Sequence, residues 1–454
     1  MFKVASLLSM AMMLGTVAVT AQAAVPAQEA QQLRTVLTPL GGEKAGNADG
    51  SIPAWTGAGV TPPTPYKSGD HYVDPFPQDK PLFTITSANL AQYKDKLTPG
   101  QIAMFKTYPD SYQMPVYQTR RTASAPQWVY DNTLKNATTA QLQEGGNGFT
   151  DAFGGIPFPI PKSGVEAVWN HLARYRGTHL VQPLNEASVE ANGNFTMYKF
   201  QQEILFNYYD QTSNYADLKN VMFHYFSTAI SPPRSAGEVD LVYETMDQVM
   251  EPRLAWAYEP GTRRVRRAPT LAYDTPGDND GIMTLDSKDM FNGSPDRFDW
   301  KLIGKKEIYV PYNNYRMIAA GVTYKDLFKP GHLNPAYTRN ELHRVWVVEG
   351  TLKKTARHLY SKRTLYFDED SWQIVLADQY DGRGELWRVS IAYLINFYNL
   401  PTIWSAVDVF HDLQSRRYVA QKMDSEEPRS IDFDQPNPSS DYFNPAELRR
   451  RGTR

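Results

Sequence analysis

Cysteine is absent from the 454 residues of this chain, and its absence excludes several kinds of structure and chemistry. Without cysteine there is no disulfide, no thiol nucleophile and no cysteine-ligated metal. The chain also lacks the residue that is acylated in bacterial lipoproteins, so we expect no lipid anchor of that kind. Because large secreted eukaryotic proteins usually carry disulfides, an exported chain without cysteine favours the periplasm of a Gram-negative bacterium.

A strong net charge and long apolar runs are missing too. The formal net charge is −2 at pH 7, which argues against nucleic acid as a main partner. Beyond the N-terminus, no stretch approaches the roughly 20 apolar residues of a transmembrane helix. Apolar residues make up 41% of the chain and charged residues 21%, which is typical of a globular protein. The length of 454 residues predicts one large or two to three smaller domains.

Signatures of catalysis and of metal binding are also missing. The eight histidines are scattered, and no nucleophile elbow or Walker-type phosphate loop occurs. Asp368, Glu369 and Asp370 could form an acid/base group, but a tight turn should leave them solvated with ordinary pKa values. The same expectation holds for Asp378 and Glu385 beside the next turn. We therefore predict a protein that is not an enzyme and has no cofactor and no metal.

The first 23 residues predict a signal peptide. Lys3 supplies a positive start, residues 4–20 an apolar stretch, and Ala21-Gln22-Ala23 a small-residue cleavage site. The apolar stretch is too short and too interrupted for a retained membrane anchor. We expect cleavage after Ala23 or one residue later, which would release a soluble chain into the periplasm.

Residues 24–176 are predicted to form a helical and extended region. Helices are expected at residues 28–38, at 86–108 in two pieces, the second opened by Thr98-Pro99, at 138–143 in part and at 165–176, and a strand at 126–132. A turn-rich and proline-rich segment lies at residues 46–81. Its composition suits either an ordered strap over another surface or a flexible linker.

Residues 177–423 are predicted to form an antiparallel β domain. The clearest signal is a three-stranded meander with strands at residues 358–367, 372–380 and 385–391. A short helix is expected around residues 288–292, a strand at 316–319 and the last strand at 403–412. The expected fold class is α+β, a large curved antiparallel sheet forming an incomplete barrel, covered by N-terminal helices and long straps. Residues 424–454 are expected to be a polar tail, either a surface strap or a disordered end.

The central feature of the β domain is a predicted hairpin at residues 251–268. Leu254, Trp256 and Tyr258 share one face of its first strand, and Pro260-Gly261 supplies a turn with φ > 0 at Gly261. The second strand carries an arginine cluster. These side chains are candidates for binding an amphiphilic ligand, with apolar contacts on the first strand and polar contacts from Arg263, Arg264 and Arg266. The alternative is an ordinary edge hairpin with solvated arginines.

Other large aromatic side chains lie on neighbouring predicted strands of the same sheet. Trp346, Phe367, Trp372 and Trp387 are candidates for lining a cavity, because alternation sends part of each strand to one face. The alternative is that each of them fills the core.

Several long segments carry a family resemblance. They include AGNADGSIPAWTG (residues 45–57), GIPFPIPKSGVEAVWNH (155–171), WAYEPGTRRVRRAP (256–269), HRVWVVEGTLK (343–353) and the meander from residue 357 to 388. The chain resembles an uncharacterised family of Gram-negative exported proteins, often labelled outer-membrane lipoprotein-sorting protein. More distantly it is similar to the LolA/LolB lipoprotein carrier fold. The resemblance implies an incomplete antiparallel barrel closed by helices, with a hydrophobic cavity for acyl chains.

Two functions are compatible with these observations. The first is a periplasmic binding or carrier protein for a hydrophobic or lipid-like ligand, involved in outer-membrane lipid or lipoprotein trafficking. The second is a non-catalytic adaptor of an envelope export assembly. The resemblance makes an inner-membrane exporter of the resistance-nodulation-division type, or an outer-membrane protein, plausible as a partner.

Overall fold

The computed structural model describes residues 24–268, 273–277, 281–438 and 441–452, so the predicted signal peptide lies outside the described residues. The α-helices are α1 (Ala27–Ala30), α2 (Leu90–Tyr93), α3 (Pro99–Thr107), α4 (Gln127–Thr139), α5 (Gly164–Leu172), α6 (Tyr324–Leu327) and α7 (Pro445–Gly452). Short 3-10 helices lie at Gln31–Arg34, Lys94–Lys96, Glu144–Gly146, Asn207–Tyr209, Tyr215–Leu218, Leu285–Ser287, Pro295–Arg297, Tyr315–Ile318 and Pro335–Tyr337. Within the described ranges, no helix combines the length and the apolar character needed to cross a bilayer.

The strands in the first half of the chain are β1 (Phe83–Ile85), β2 (Met114–Val116), β3 (Gln141–Leu142), β4 (Phe149–Thr150), β5 (His179–Pro183), β6 (Asn185–Val189), β7 (Phe195–Leu205), β8 (Val221–Ser231), β9 (Val239–Thr245), β10 (Leu254–Glu259) and β11 (Arg264–Arg267). Those in the second half are β12 (Phe298–Pro311), β13 (Phe328–Lys329), β14 (His332–Leu333), β15 (Asn340–Leu352), β16 (Lys362–Asp368), β17 (Ile374–Tyr380), β18 (Leu386–Phe397), β19 (Thr402–Asp412) and β20 (Arg417–Met423).

One 16-stranded sheet organises the molecule. Its order is β1-β2-β15-β16-β17-β18-β19-β20-β6-β7-β8-β9-β10-β11, with β12 also paired to β15 and β5 to β7. All its pairings are antiparallel except the single parallel contact of β2 with β15. The path ends at β1 and β11 without joining them, so the sheet stays open. The predicted α+β class with a large antiparallel sheet and an incomplete barrel is confirmed.

The centre of the sheet is covered on both faces. All eleven residues of β19 are buried, and so is β18 from Arg388 onward. Since successive side chains of a strand point to opposite faces, burial of every residue requires packing on both sides. Helix α3 packs on β17 and β18, while α5 packs on β12 and β15.

Local signals explain the helices that were predicted. Thr98 and Gln101 form a capping box at the start of α3, and Pro99 occupies its first turn. The side chain of Ser163 accepts the N–H of Glu166 at the start of α5. Both helices therefore begin where the sequence predicts, although α5 ends at Leu172.

The predicted strand at residues 126–132 is wrong, because this segment belongs to helix α4. Val129, Thr133, Asn136 and Ala137 are buried at helical spacing. Burying that face outweighs the preference of aromatic and β-branched residues for strands.

Three smaller predictions also fail. Residues 316–319 belong to a 3-10 turn, Tyr315–Ile318, instead of a strand. No helix forms at residues 288–292, where Asp289 and Met290 adopt positive φ angles of 54° and 69°. The strand predicted at 403–412 is not the last one, because β20 follows it in the chain and pairs with it.

The segments without regular structure lie against the sheet. Ile52 and Tyr72 in the N-terminal third are each only 1% exposed, which fits a strap better than a linker. The C-terminal tail is not merely a polar end, because it forms α7 and buries Phe443 and Leu448. Helix α7 packs on β9, β10 and β11. The tail therefore covers a face of the sheet.

The predicted hairpin is present, but its turn differs from the expectation. Glu259 pairs with Arg264, and the N–H of Arg263 donates to the carbonyl of Glu259 at 2.8 Å. The residue with positive φ is Arg263, at 54°, and not Gly261. The predicted turn closes between Glu259 and Thr262, whereas the observed loop closes between Glu259 and Arg264, and the left-handed position moves from Gly261 to Arg263.

Candidate functional site

The aromatic residues of the central hairpin are covered by the C-terminal tail. Tyr258 is 1% exposed and belongs to a cluster with Phe443 and Leu448. Trp256 is half-buried and packs on Tyr243, with ring centroids 5.0 Å apart. Leu254 is half-buried at the start of β10. The face that was predicted to meet a ligand thus meets residues of the same chain.

The arginines of the hairpin lie at the edge of the sheet. All four residues of β11 are exposed, and so is Arg263 in the turn. Arg266 approaches Glu259 at 3.3 Å, but both side chains are about half exposed, so this pair contributes little to stability. Strand β11 is at one end of the sheet order, and the meander strands β16, β17 and β18 are not its neighbours.

The remaining predicted aromatics split between two places. Trp346 and Trp372 stack with ring centroids 6.3 Å apart, and Phe367 is fully buried beside them. Trp387 lies elsewhere, half-exposed, with its Nε1 donating to Asp412 at 2.9 Å. The ten predicted binding residues do not meet in one cavity. Their role in ligand binding stays a prediction.

Large buried side chains and the N-terminal strap pack together around Trp372, which is 0% exposed. The stacked Trp372 donates its Nε1 proton to the carbonyl of Leu40 at 2.7 Å, which ties the N-terminal strap to the core. Two internal cavities, beside Arg176 and beside Gln101, measure about 20 and 10 Å³. A cavity of that size holds about one water molecule. Neither could take an acyl chain.

The acidic turn between β16 and β17 is buried, contrary to the expectation of solvated carboxylates. Asp368, Glu369 and Asp370 are 0%, 2% and 3% exposed. Arg121 binds both oxygens of Asp370, and Arg344 Nε donates to Glu369 at 2.7 Å. Burial, with Asp370 nearby, raises the pKa of Asp368 to about 6. The turn is a buried ion cluster.

This cluster also contains the one set of residues whose geometry could suit a metal ion among the described residues. Ligand atoms of His343, Asp368 and Asp370 lie within 4.8 Å of one another. Both oxygens of Asp370 already accept from Arg121, however, and His343 Nε2 lies 3.1 Å from Glu341. A cation would have to compete with a guanidinium group that satisfies the same carboxylate. The arrangement suits a structural role, in which the cluster holds the N-terminal strap on the sheet.

Asp378 is a second carboxylate that was expected to be solvated and is instead fully buried. Its Oδ2 accepts the N–H of Gly100 at 3.1 Å and the hydroxyl of Tyr366 at 3.3 Å. Burial raises its pKa to about 7, because few compensating charges lie nearby. Asp378 thus fastens α3 to the sheet, whereas Glu385 is exposed as expected.

An open site with largely apolar walls lies between the sheet and the C-terminal strap (residues 424–438). Val181 and Asp432 exchange two backbone hydrogen bonds, at 2.9 and 2.8 Å, and thereby attach the strap to β5. The backbones of Gly69 and Ser430 are bonded at 2.9 Å on its other side. Ile431 is 4% exposed, so it anchors the strap in the core.

Beside these attachments the strap leaves a groove of about 480 Å³, which we call the strap groove. It lies against β5, β7 and β8, and its apolar walls are formed by Val181, Pro183, Phe200, Ile230 and Pro428. Ile230 is 55% exposed, although it lies within a strand. The volume falls within the range of small-molecule sites.

Charged side chains lie at the rim of the strap groove and are paired. Lys199 Nζ lies 2.6 Å from Glu427 Oε1, and Arg429 Nη2 lies 3.0 Å from Asp432 Oδ2. A polar head group of either sign would find a partner there. The groove therefore offers apolar walls and a polar rim to one ligand.

The strap groove was not predicted from the sequence. Its apolar residues are isolated in β5, β7, β8 and a polar tail, so no local pattern brings them together. The alternation of Ile431 and Phe433, both buried, is the one signal that the tail docks on a core.

Two sequence matches place the chain in a family. A family model described as "Protein of unknown function (DUF1329)" matches residues 84–449. "Uncharacterized protein PA3922" of Pseudomonas aeruginosa is 49% identical over 442 residues, covering 97% of this chain and 97% of that protein.

Two solved structures match the chain at low sequence identity and with TM-scores below 0.5. A domain of Vibrio parahaemolyticus, provisionally described as an outer membrane lipoprotein-sorting protein, is 12% identical with a TM-score of 0.43, covering 63% of this chain and 98% of that domain. The LolA superfamily protein NE2245 of Nitrosomonas europaea is 12% identical with a TM-score of 0.37, covering 62% of this chain and 97% of that protein.

Proposed function

This chain belongs to the family described as a protein of unknown function, DUF1329, and we propose that it is a non-catalytic binding or carrier protein of the cell envelope. Its ligand is hydrophobic or lipid-like and lies in the strap groove. The protein works in the periplasm after removal of residues 1–23, in the trafficking of outer-membrane lipids or lipoproteins. Family membership agrees with the resemblance found from the sequence.

The observation that carries this proposal is the contrast between the strap groove, of about 480 Å³, and the two internal cavities, of about 20 and 10 Å³. An acyl chain would bury apolar surface against Val181, Phe200 and Ile230, worth about 25 cal/mol per Å². The ion-paired side chains of Lys199 and Arg429 also line the groove, where they are available to a polar head group. Because the strap is attached at Val181 and Gly69, the walls are already in place before binding.

Titration of delipidated protein with a fluorescent fatty acid tests the proposal. We expect saturable binding, and native mass spectrometry of protein purified from its host should show a bound lipid. The variant Ile230→Glu places a charge on the apolar wall and should weaken binding about tenfold or more. Ile303→Glu is the matched control, because Ile303 is also an exposed strand isoleucine, 47% against 55%.

If both glutamate variants bind fatty acid equally well, the ligand does not bind in the strap groove. Absence of saturable binding by the unmodified protein would reject a carrier function altogether. Circular dichroism of the variants shows whether each is folded.

A second candidate function is supported by the small size of the two internal cavities and by the exposed arginine edge of β11. In that case the protein is an adaptor of an envelope export assembly, and its partner is an exporter of the resistance-nodulation-division type or an outer-membrane protein. The triple variant Arg263→Ser/Arg264→Ser/Arg266→Ser should then lose crosslinking to that partner in intact cells. Fatty acid binding by the same variant should stay unchanged, which separates the two functions.

A further inference from the structure

A second open site is lined mainly by the N-terminal region and differs in chemistry from the strap groove. It is a cleft of about 1000 Å³ between α4, the segment 151–153 and the loop 211–216. We call it the α4 cleft. Its walls carry three aromatic rings, Trp128, Phe153 and Tyr215, together with amide and hydroxyl groups, among them those of Asn132, Gln141 and Gln211.

One face of α4 forms a wall of this cleft. Trp128, Asn132, Lys135 and Thr139 follow one another at spacings of four, three and four residues, so their side chains share one face of the helix. A neighbouring face of α4 is buried through Val129, Thr133 and Ala137. The helix is therefore fixed, and it presents a row of one aromatic and several polar side chains.

The facing wall is fixed to α4 by hydrogen bonds. Asn136 Oδ1 accepts the N–H of Phe153 at 3.2 Å, and Thr139 Oγ1 donates to the carbonyl of Asp151 at 2.6 Å. The chain can approach the helix this closely because Gly155 has no side chain, where a Cβ would lie 2.5 Å from the backbone nitrogen of Thr133. The walls of the cleft are thus held at a set distance.

Aromatic rings in the cleft are open on one side. Trp128 is half-buried, and its inner side packs edge-on against Tyr175 at 5.5 Å and Tyr209 at 6.0 Å. Phe153 and Tyr215 are half-buried too. Rings that pack on the core in this way are already ordered. They offer a ligand a flat apolar surface and lose little conformational freedom on binding.

The polar groups of the cleft are mostly uncharged. Amides and hydroxyls dominate, and the two charged residues, Lys135 and Asp151, have opposite signs. The side chains of Gln141 and Gln211 and the indole N–H of Trp128 have no hydrogen-bond partner among the described residues. These groups can donate to and accept from a ligand without first breaking a bond within the protein.

We propose that the α4 cleft binds a neutral oligosaccharide. Sugar rings combine an apolar C–H face, which stacks on Trp128, Phe153 or Tyr215, with hydroxyl groups that pair with neutral amides. An acyl chain would leave those amides unpaired, and an anionic polymer would meet a single cation. A cleft of about 1000 Å³ lies at the top of the usual range for ligand sites and is large enough for several sugar units.

Isothermal titration calorimetry of the full chain with chitohexaose, maltohexaose and cellohexaose tests this proposal. We expect at least one of the hexasaccharides to bind at millimolar concentration or below. The double variant Gln141→Ala/Gln211→Ala should weaken that binding about tenfold, because two hydrogen bonds are lost. Trp128→Leu should weaken it at least as much through loss of the stacking surface.

The control is Gln201→Ala, which removes an exposed amide from the strap groove and should leave sugar binding unchanged. Failure of all three hexasaccharides to bind the unmodified chain would overturn the proposal. So would sugar binding that survives both the double glutamine variant and Trp128→Leu. Fatty acid titration of the same proteins is independent of these outcomes, because the strap groove shares no residue with the α4 cleft.

Discussion

Arg121 and Asp370 form a buried bidentate ion pair between two distant parts of the chain. Arg121 Nε donates to Asp370 Oδ2 at 2.8 Å and Nη2 donates to Oδ1 at 2.7 Å, with both side chains 2% exposed. The same guanidinium donates to the carbonyl of Glu43 at 2.7 Å. One side chain therefore holds the acidic turn of the sheet and the N-terminal strap together.

Replacement of Arg121 by Ala should destabilise the protein strongly. Asp370 would stay buried without its partner, and breaking a buried pair in this way costs roughly 3–5 kcal/mol. Urea unfolding measures the loss. Arg383→Ala removes an exposed arginine, 76% accessible and paired with Asp381, and should leave the unfolding midpoint unchanged. Equal midpoints for the two variants would contradict a clamp at Arg121.

The sequence predicted the elements whose signals are local. The meander of β16, β17 and β18 and the capped start of α3 follow from alternation, turns and capping residues over a few positions. The environment of Asp370 could not be read in this way, because its partner Arg121 lies 249 positions earlier in the chain. From the sequence alone, a turn rich in carboxylates is expected at the surface, because the distant segment that covers it leaves no local signal.

The candidate site shows the same limit. Tyr258 was correctly placed on a face with Trp256, but that face is occupied by Phe443 from a tail that the sequence predicted to be a strap or a disordered end. The strap groove depends on Ile230 and Pro428, which lie far apart in the sequence and share no pattern. Periodicity identifies the face of a strand, and tertiary contacts decide what covers it.

Asp378 should make stability depend on pH. Burial raises its pKa from 3.8 to about 7, so the folded protein binds a proton that the unfolded chain has already released. The stabilising contribution is complete below about pH 4 and is lost as the pH rises through about 7. Asp378→Asn removes this titration and can still accept the N–H of Gly100. At about pH 8 the variant should therefore be more stable than the unmodified protein by up to about 4 kcal/mol.

Chemical unfolding at several pH values measures this difference. The difference between the two proteins isolates Asp378, because Asp368 and Asp424, whose pKa values are also raised to about 6, titrate in both. A difference that is independent of pH would show that Asp378 is not titrating in this range.

Phe443 should control the docking of α7 on the sheet. Its ring is 3% exposed and lies 4.9 Å from that of Phe226 and 5.6 Å from that of His224. Phe443→Ala should cost about 3 kcal/mol if the whole tail stays docked, and less if α7 detaches locally. Hydrogen exchange distinguishes the two, because detachment alone raises the exchange of α7. Leu82→Ala, at a 66% exposed side chain, should change neither quantity.

The hairpin turn offers a test in which sequence and structure predict opposite signs. A turn with φ > 0 at Gly261 would make Gly261→Ala destabilising, because alanine is strained in the left-handed region. In the structure Gly261 does not have positive φ, and a Cβ there would meet no atom within 4 Å. Gly261→Ala should therefore stabilise the protein by about 0.4–1 kcal/mol, since the unfolded chain loses conformational freedom.

Arg263 is the position where glycine should be favourable. Its φ is 54°, so Arg263→Gly removes a left-handed strain of about 1 kcal/mol, partly offset by the added freedom of the unfolded chain. Thermal unfolding of the two single variants and of the double variant measures both effects. If Gly261→Ala lowers the melting temperature, the left-handed residue is Gly261 and the loop is the shorter turn. If it raises the melting temperature while Arg263→Gly is neutral or stabilising, the turn closes between Glu259 and Arg264, because only that closure places the strain on Arg263.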